Sequence, residues 1–423
     1  MQAPRGTRDI LPEVFRDRRA LIDLFLAETE RFGFAPIATP HFEQRALFTR
    51  AVGEETDIIR KEMYDVFYGG EDLGLSLRPE NTAGVVRAYI ENGMSSWPQP
   101  VKLAYAGSMF RHDRPQKGRY REFVQLGVEV LGSADPLTDA LLVFLVERYF
   151  TKAGLKNLVI KLGSTGDEKC RPDFEVKLAK YFGEYVGVLC EDCQRRLDTN
   201  PLRILDCKHG ACRKVAAGSP SLLDNLCQEC EAHFKQVLEY TETLGLSFEI
   251  DPKLVRGLDY YTKTVMEFYA DGKNGALALG GGGRYDNLVK LYGGPKTMSV
   301  GFSLGLDRIM EALAKKDDLP EKKTGTDVFI VVLGEKAKLK SMGLFKALMA
   351  EDISVVIVPD KDSLRSQLKA ADSAGATYAV IIGQREAQGN QAILRDMSSG
   401  KQETLGLPEL PEHLKARLTH VME

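Results

Sequence analysis

The chain has 423 residues, 43% of them hydrophobic, which is enough for two or three domains with separate cores. Its 57 basic and 60 acidic residues leave a net charge of -3, excluding a globally basic nucleic-acid coat while leaving room for a local basic patch. No apolar run reaches the ~18–20 residues that cross a bilayer, and the N-terminal MQAPRGTRDILPEVF lacks the apolar centre of a secretory signal, so a cytosolic location is expected. There is no GxxxxGK[ST] loop, no GxGxxG after a strand and no HExxH, so any use of ATP must do without a P-loop or a Rossmann fingerprint.

Taken in chain order, residues 12–33 predict an amphipathic helix, with Pro12 suited to its first turn, Gly33 past its end, and Phe15, Ile22, Phe25 and Leu26 on one stripe. Pro36 and Pro40 confine the following FAPIATPHFE to an edge strand or an extended interface segment. Two strands are predicted at 101–111 and 122–131, joined by the charged loop HDRPQKGRY. Alternation puts Val124, Leu126, Val128 and Val130 on the core face of the second strand. Its other face carries Phe123, Gln125, Gly127 and Glu129, a fitting floor for a small polar ligand, with Gly127 leaving room. Residues 137–153 read as a helix. From about 170 to 250 come charged helical segments holding all seven cysteines. Strands resume in DYYTKTVMEFYA and ALALGGGGRYDNLV, with GKNG between them as a hairpin turn, and MSVGFSLGLDRIMEALAKK reads as a strand entering a helix. The charged KKDDLPEKKTGTD suits a linker. From 328 onward, strand–helix alternation through DVFIVVL, SVVIVP and YAVIIG indicates a small parallel-stranded α/β domain, with AILRDM adding one or two further strands.

The chemistry concentrates in a few places. Arg111, Arg114, Lys117, Arg119 and Arg121 crowd one loop. A hairpin would bring Arg111 and Arg121 to one mouth beside Phe123, Gln125 and Glu129, and guanidinium forks match phosphate oxygens. SLRPENTAG holds Glu80 and Thr82 at a helix start, where Thr82 or Asn81 could serve simply as a cap. Arg256, Asp259, Tyr260 and Tyr261 fall within six residues. GGGGRYD carries Arg284 and Tyr285 behind a glycine run that is either a turn or a site of close approach to a ligand. Arg308 lies one turn inside a helix behind GFSLGLD.

Together these stretches resemble the histidyl-tRNA synthetase family of class II aminoacyl-tRNA synthetases over nearly the whole chain. RGTRDILP is similar to the family's N-terminal signature, helix 12–33 with the Pro40 segment to motif 1, FRHDRPQKGRYREFVQLGVEVLG to motif 2, and GFSLGLDRI to motif 3. RGLDYYTKTVMEF and ALALGGGGRYD resemble the two histidine-specific motifs. The resemblance implies an α+β catalytic core with a mixed, mainly antiparallel sheet flanked by helices, a helical insertion, and a C-terminal α/β anticodon-binding domain. The implied division is 1–168 and 251–318 for the catalytic domain, 169–250 for the insertion, 319–327 for a linker and 328–423 for the anticodon-binding domain. It further implies ATP and Mg²⁺ as cofactors, L-histidine and histidine tRNA as partners, a homodimer through motif 1, and no membrane.

Residue by residue, the resemblance implies that Arg111 holds the α-phosphate of ATP and that Arg119 and Arg308 hold the outer phosphates. Phe123 and Arg308 would sandwich the adenine. Glu80, Thr82 and Gln125 would bind the histidine ammonium, and Glu129 and Tyr261 its imidazole, with Tyr260 lining the pocket. Arg256 would act catalytically on the carboxylate and α-phosphate, while Arg284 and Tyr285 would close the pocket. The Arg114–Lys117 loop would read the acceptor end of the tRNA.

Cys190-x-x-Cys193 and Cys227-x-x-Cys230 have zinc-ribbon spacing, but the 33 residues between them exceed the usual gap. Two readings stand: a structural zinc on Cys190, Cys193, Cys227 and Cys230, or ordinary small residues of an inserted helical module. A non-catalytic relative, the regulatory partner of ATP phosphoribosyltransferase, is the main rival to the enzyme reading. It is disfavoured because this chain keeps RGLDYYT, the motif 2 arginines, motif 3 and the C-terminal region. A tRNA-binding module without activity is disfavoured by the arginine-rich site.

Overall fold

The computed structural model describes residues 1–53, 56, 58–113, 118–270, 277–313, 325–358 and 363–419. The GKNG turn, Arg114–Lys117 and residues 319–324 of the expected linker lie outside the described residues. The chain divides into two units, Met1–Pro320 and Glu321–Glu423. Among the described residues no helix is long and apolar enough to cross a membrane.

The first unit opens with helix α1 (Pro12–Arg31), strands β1 (Ala35–Pro36) and β2 (Phe42–Gln44), and helix α2 (Arg45–Val52). Strands β3 (Tyr64–Tyr68) and β4 (Glu71–Leu77), helix α3 (Thr82–Glu91), strands β5 (Val101–Phe110) and β6 (Glu122–Leu131), helix α4 (Pro136–Lys152) and strand β7 (Leu158–Ser164) follow. Helices α5 (Arg171–Gly183), α6 (Glu191–Thr199), α7 (Gly210–Ala217) and α8 (Gln228–Thr243) come next. The chain returns through β8 (Glu249–Ile250), β9 (Thr262–Ala270), β10 (Leu277–Arg284), α9 (Leu288–Leu291), β11 (Ser299–Gly305) and α10 (Leu306–Leu313).

Eight of these strands make one sheet in the order β1-β5-β6-β11-β10-β9-β7-β8. It is antiparallel except at its edges, where β1 pairs with β5 and β7 with β8 in parallel. Pro36 sits in the two-residue edge strand, the place where a missing N–H costs the sheet least. Alternation along β6 sorts its side chains as expected. Leu126, Val128 and Val130 join α1, α4 and α10 in one apolar core, and Phe123 lies on the opposite face with Tyr105, Tyr260 and Tyr285. On α1, Phe25 is fully buried and Ile22 and Leu26 pack beside it, whereas Phe15 from the predicted stripe is 58% exposed. Asp135 caps α4, its Oδ1 accepting from Leu137 N at 2.9 Å, with Pro136 in the first turn.

Helices α5 to α7 enclose a small core of their own that includes Phe174, Leu178, Phe182, Ile204, Cys193 and Cys212, whereas Phe234 of α8 joins the large core beside α4. In the second unit β12 (Val328–Val332), α11 (Glu335–Ala350), β13 (Val355–Ile357), α12 (Leu364–Ser373), β14 (Tyr378–Ile382), α13 (Gln384–Gln388), β15 (Gln391–Asp396), β16 (Gln402–Gly406) and α14 (Leu410–Thr419) build a sheet ordered β13-β12-β14-β15-β16. The first three strands are parallel, and β15 and β16 add antiparallel. Every residue of β12 and β14 is buried, so these strands read as unbroken apolar runs rather than alternating ones.

Candidate active site

One cavity of about 230 Å³ lies against the face of the large sheet opposite α1 and α4. Glu80, Thr82, Arg111, Arg119, Phe123, Gln125, Glu129, Arg256, Tyr260, Tyr261, Tyr285 and Arg308 all line it. Strand β6 supplies three of these from alternate positions, with β5 and β11 on either side, so the cavity floor follows directly from the pleat.

Glu129 is 1% exposed at the deep end. The Tyr285 hydroxyl donates to its Oε2 at 2.5 Å, and Thr82 Oγ1 and Tyr105 Oη donate to its Oε1 at 2.7 and 3.3 Å. Burial pushes its carboxyl up to about 8, the bonds from Tyr285 and Thr82 pulling the other way and the charge of Glu80 adding to the rise. Glu129 pairs in register with Gly301, and a Cβ at that glycine would collide with its carboxylate. Tyr105, which sequence reasoning missed, stands opposite Gly127, and its ring occupies the space that glycine leaves. Gly127 thus makes room for a tyrosine of the adjacent strand rather than for a ligand. The register of β5 against β6, absent from the sequence pattern, was the missing signal.

Glu80, not Thr82 or Asn81, satisfies the start of α3: its two oxygens accept from Thr82 N at 2.8 Å and Ala83 N at 3.0 Å. Asn81 makes no side-chain cap because its Oδ1 accepts from Thr39 Oγ1 and Arg78 Nη1. Burial raises the Glu80 carboxyl, with the two backbone N–H bonds opposing. Gln125 lines the cavity with its Oε1 buried and unpaired among the described residues.

The other end is cationic. Arg111 donates from Nε to Pro79 O at 2.8 Å and lies over the Phe123 ring at 5.4 Å. Arg308 donates to Ala278 O at 2.8 Å, and Arg119 pairs with Asp113 at 3.2 Å. Burial pulls Arg308 below the ordinary guanidinium range, and the charges of Arg119 and Arg111 pull it further. Guanidiniums that repel each other around a cavity are stabilised by an anion placed among them. Arg256 bonds Glu267, and its Cζ stands 5.9 Å from the centre of the Tyr261 ring. Glu267 faces Gly281 across the β9–β10 ladder, and a Cβ at Gly281 would lie 2.6 Å from Arg256 Nη1. The glycine run is therefore strand, not turn. Its openness serves the close approach of neighbouring protein groups.

Two expectations are corrected. Arg284 does not close the pocket. It is fully buried away from the cavity, donating to both oxygens of Asp139 at 3.0 and 2.6 Å and to Ser133 O and Asp135 O at 2.8 and 2.9 Å. Successive residues at a strand end face opposite ways, so Tyr285 enters the site while Arg284 leaves it. Nor do Cys190, Cys193, Cys227 and Cys230 converge as one set. Cys190 and Cys193 gather with Cys207 and Cys212, and Cys227 and Cys230 with Asp167 and Cys170.

Comparison with known proteins places the chain in a family. A family model described as histidyl-tRNA synthetase matches residues 6–166 and 203–309, and one described as anticodon binding domain matches 327–417. A histidine–tRNA ligase of Pelotomaculum thermopropionicum is 43% identical over 420 residues, covering 98% of each chain. The crystal structure of apo histidyl-tRNA synthetase from S. aureus superposes with a TM-score of 0.83 at 35% identity, covering 98% of this chain and 100% of that one. A structure from Bacillus halodurans C, titled as an ATP phosphoribosyltransferase regulatory subunit/histidyl-tRNA synthetase, shares the fold at a TM-score of 0.64 and 22% identity, covering 90% and 98%. A class II catalytic sheet and a separate anticodon-binding unit, with these matches along nearly its full length, mean that the chain belongs to the histidyl-tRNA synthetase family.

Proposed function

We propose that the protein activates L-histidine with ATP and transfers it to the 3′ end of histidine tRNA. The observation that carries this reading is a single cavity with guanidiniums at one end and a buried, triply hydrogen-bonded Glu129 at the other. In the first step a histidine carboxylate oxygen bonds to the α-phosphorus of ATP while the bond to the β-phosphate oxygen breaks and pyrophosphate leaves. Negative charge spreads over the phosphoryl oxygens, and Arg111, Arg119, Arg308 and Arg256 offset it with little reorganisation. In the second step a ribose hydroxyl of the tRNA attacks the adenylate carbonyl and AMP leaves.

Within this reading Arg111 holds the α-phosphate and Arg119 and Arg308 the outer ones, with Phe123 and Arg308 around the adenine. Asp113, which lines the cavity beside Arg119, would be the carboxylate to hold a Mg²⁺ there. That ion would supply further charge neutralisation. Gln125, with its unpaired Oε1, joins Glu80 and Thr82 in receiving the histidine ammonium. Tyr260, whose ring lies 4.7 Å from that of Tyr261, lines the amino-acid end. Glu129 and Tyr261 read the imidazole, and a side chain that cannot pair with them leaves buried polar groups unsatisfied, a discrimination worth ~10⁴–10⁵. The 328–423 region would engage the anticodon. A homodimer through α1 and the Pro40 segment and a cytoplasmic location complete the reading, with the exposed Phe15 and Phe42 suited to such an interface.

The test is ATP–pyrophosphate exchange measured with each of the twenty amino acids in turn. Exchange with histidine alone is expected. Its absence from a folded, Mg²⁺-supplied protein would return the chain to the non-catalytic readings.

A further inference from the structure

The cysteines carry an inference that stands apart from the ligase reading. We propose that the insertion holds two separate zinc ions, one on Cys190, Cys193, Cys207 and Cys212 and one on Asp167, Cys170, Cys227 and Cys230, and that together they brace the 256–261 loop. In each group the four ligand atoms lie within 4.8 Å of one another. A tetrahedral ion with Zn–S bonds of ~2.3 Å places its ligand atoms ~3.75 Å apart, so each group is close to a closed four-ligand shell. Cys190 Sγ and Cys207 Sγ are already 3.9 Å apart. The seven cysteines and one carboxylate fill eight positions with no thiol left over.

The two sites are built alike. Cys190 and Cys227 each occupy the N-cap of a helix, α6 and α8, with Cys193 and Cys230 one turn further on. Cys212 lies in the first turn of α7, and Cys170 is the N-cap of α5. Two helix N-termini therefore point into each group, where their positive ends favour thiolates. Backbone N–H groups already aim at the sulfurs: Cys190 N donates to Cys212 Sγ at 3.2 Å, His209 N to Cys207 Sγ at 3.5 Å and Asp167 N to Cys170 Sγ at 3.4 Å. Cys193, Cys212 and Cys230 are fully buried. This pairing also explains the long gap between the two CxxC motifs, because each closes onto ligands nearer to it in the chain. A small helical module gains from such staples, since metal binding is then coupled to its folding.

Both sites abut the loop that carries Arg256, Tyr260 and Tyr261. Beside the first, Arg203 donates to Asp259 Oδ1 at 3.0 Å and to Gly257 O at 2.6 Å. Beside the second, Arg171 donates to Thr165 O at 3.0 Å and also to Tyr261 O.

The full chain, purified without chelator or added metal, is analysed for zinc, and its thiols are titrated as metal is displaced with a mercurial. About two zinc ions per chain are expected, with all seven thiols becoming reactive as both are released. Cys193→Ala and Cys230→Ala should each retain about one. Replacement by Co²⁺ should give tetrahedral spectra in both variants, with the sulfur-to-cobalt band stronger in Cys230→Ala, which keeps the four-sulfur site. One zinc or fewer in the native chain, or loss of all zinc in both variants, overturns the two-site assignment. The bracing role has its own readout, which does require the ligase reading: the histidine KM should rise at least tenfold in each variant while the ATP KM stays within twofold. Unchanged histidine KM in a variant that has lost one zinc would overturn the bracing.

Discussion

Arg284 lays its guanidinium along Asp139, Nε to Oδ1 at 3.0 Å and Nη2 to Oδ2 at 2.6 Å, with both side chains shut off from solvent. His233 Nε2 from α8 lies 3.1 Å from the same Nε, so β10, α4 and the insertion meet at this point. Burial works to raise the Asp139 carboxyl, and the charge of Arg284 together with the hydrogen bonds from His233 and Arg284 more than offsets it, leaving the group below the usual carboxylate range. The stability tied to that depression is present above the unfolded value of 3.8 and is lost as pH falls through the folded one. Asp139→Asn should cost about 3–5 kcal/mol, because a buried guanidinium loses its counter-charge. Urea unfolding at pH 7 measures this. Histidine and ATP KM values should be unchanged where the variant remains folded, and a raised histidine KM alone would return Arg284 to the pocket.

Glu129 predicts a bell-shaped pH dependence of histidine binding. The free site holds a proton on Glu129 up to about pH 8, and free imidazole is neutral above ~6.5. Between those values one proton is present to be shared and none need be exchanged. At higher pH the complex must take up a proton, so affinity should fall up to tenfold per pH unit. Below that window imidazolium must shed one, and affinity falls again. Calorimetry in buffers of different ionisation heat reports the proton directly. An alkaline limb that persists in Glu129→Gln would show that another group controls it. In the free protein the raised value favours folding below the ordinary 4.5, and this contribution is lost as pH rises through about 8.

Arg256 and its partner Glu267 predict a graded series. Arg256→Ala should lower histidine-dependent exchange by about 10²–10³, the scale set by removing one preorganised donor from a developing charge. Arg256→Lys should recover little, since an ammonium cannot fork. Glu267→Gln keeps a hydrogen-bond acceptor but removes the charge that orients the guanidinium. It should lower kcat about tenfold with KM values nearly unmoved, the mark of a positioning residue. Near-normal exchange in a folded Arg256→Ala would refute its catalytic role.

Much of this site was legible because local pattern carries it. The pleat of 122–131 separates Phe123, Gln125 and Glu129 from Val124, Leu126 and Val128 without reference to any other strand, and the unbroken apolar runs at 328 and 378 announce a sheet covered on both faces. The motif likeness joined Arg111, Arg256 and Arg308, which are far apart in the chain and meet only when four strands pair around them.

What the residues alone determined, then, was which side chains each element presents and which chemistry they can perform. Tertiary structure alone decided which neighbour each one faces. Tyr105 fills the gap at Gly127 because β5 pairs with β6 in that register. Arg284 turns away from the cavity because Asp139, well over a hundred residues earlier, waits behind the sheet. The cysteines divide into two groups because α5 and α8 bring their starts together while α6 and α7 do the same. Periodicity fixes direction within a segment, but the distance between segments is set by packing, and that depends on the whole chain at once.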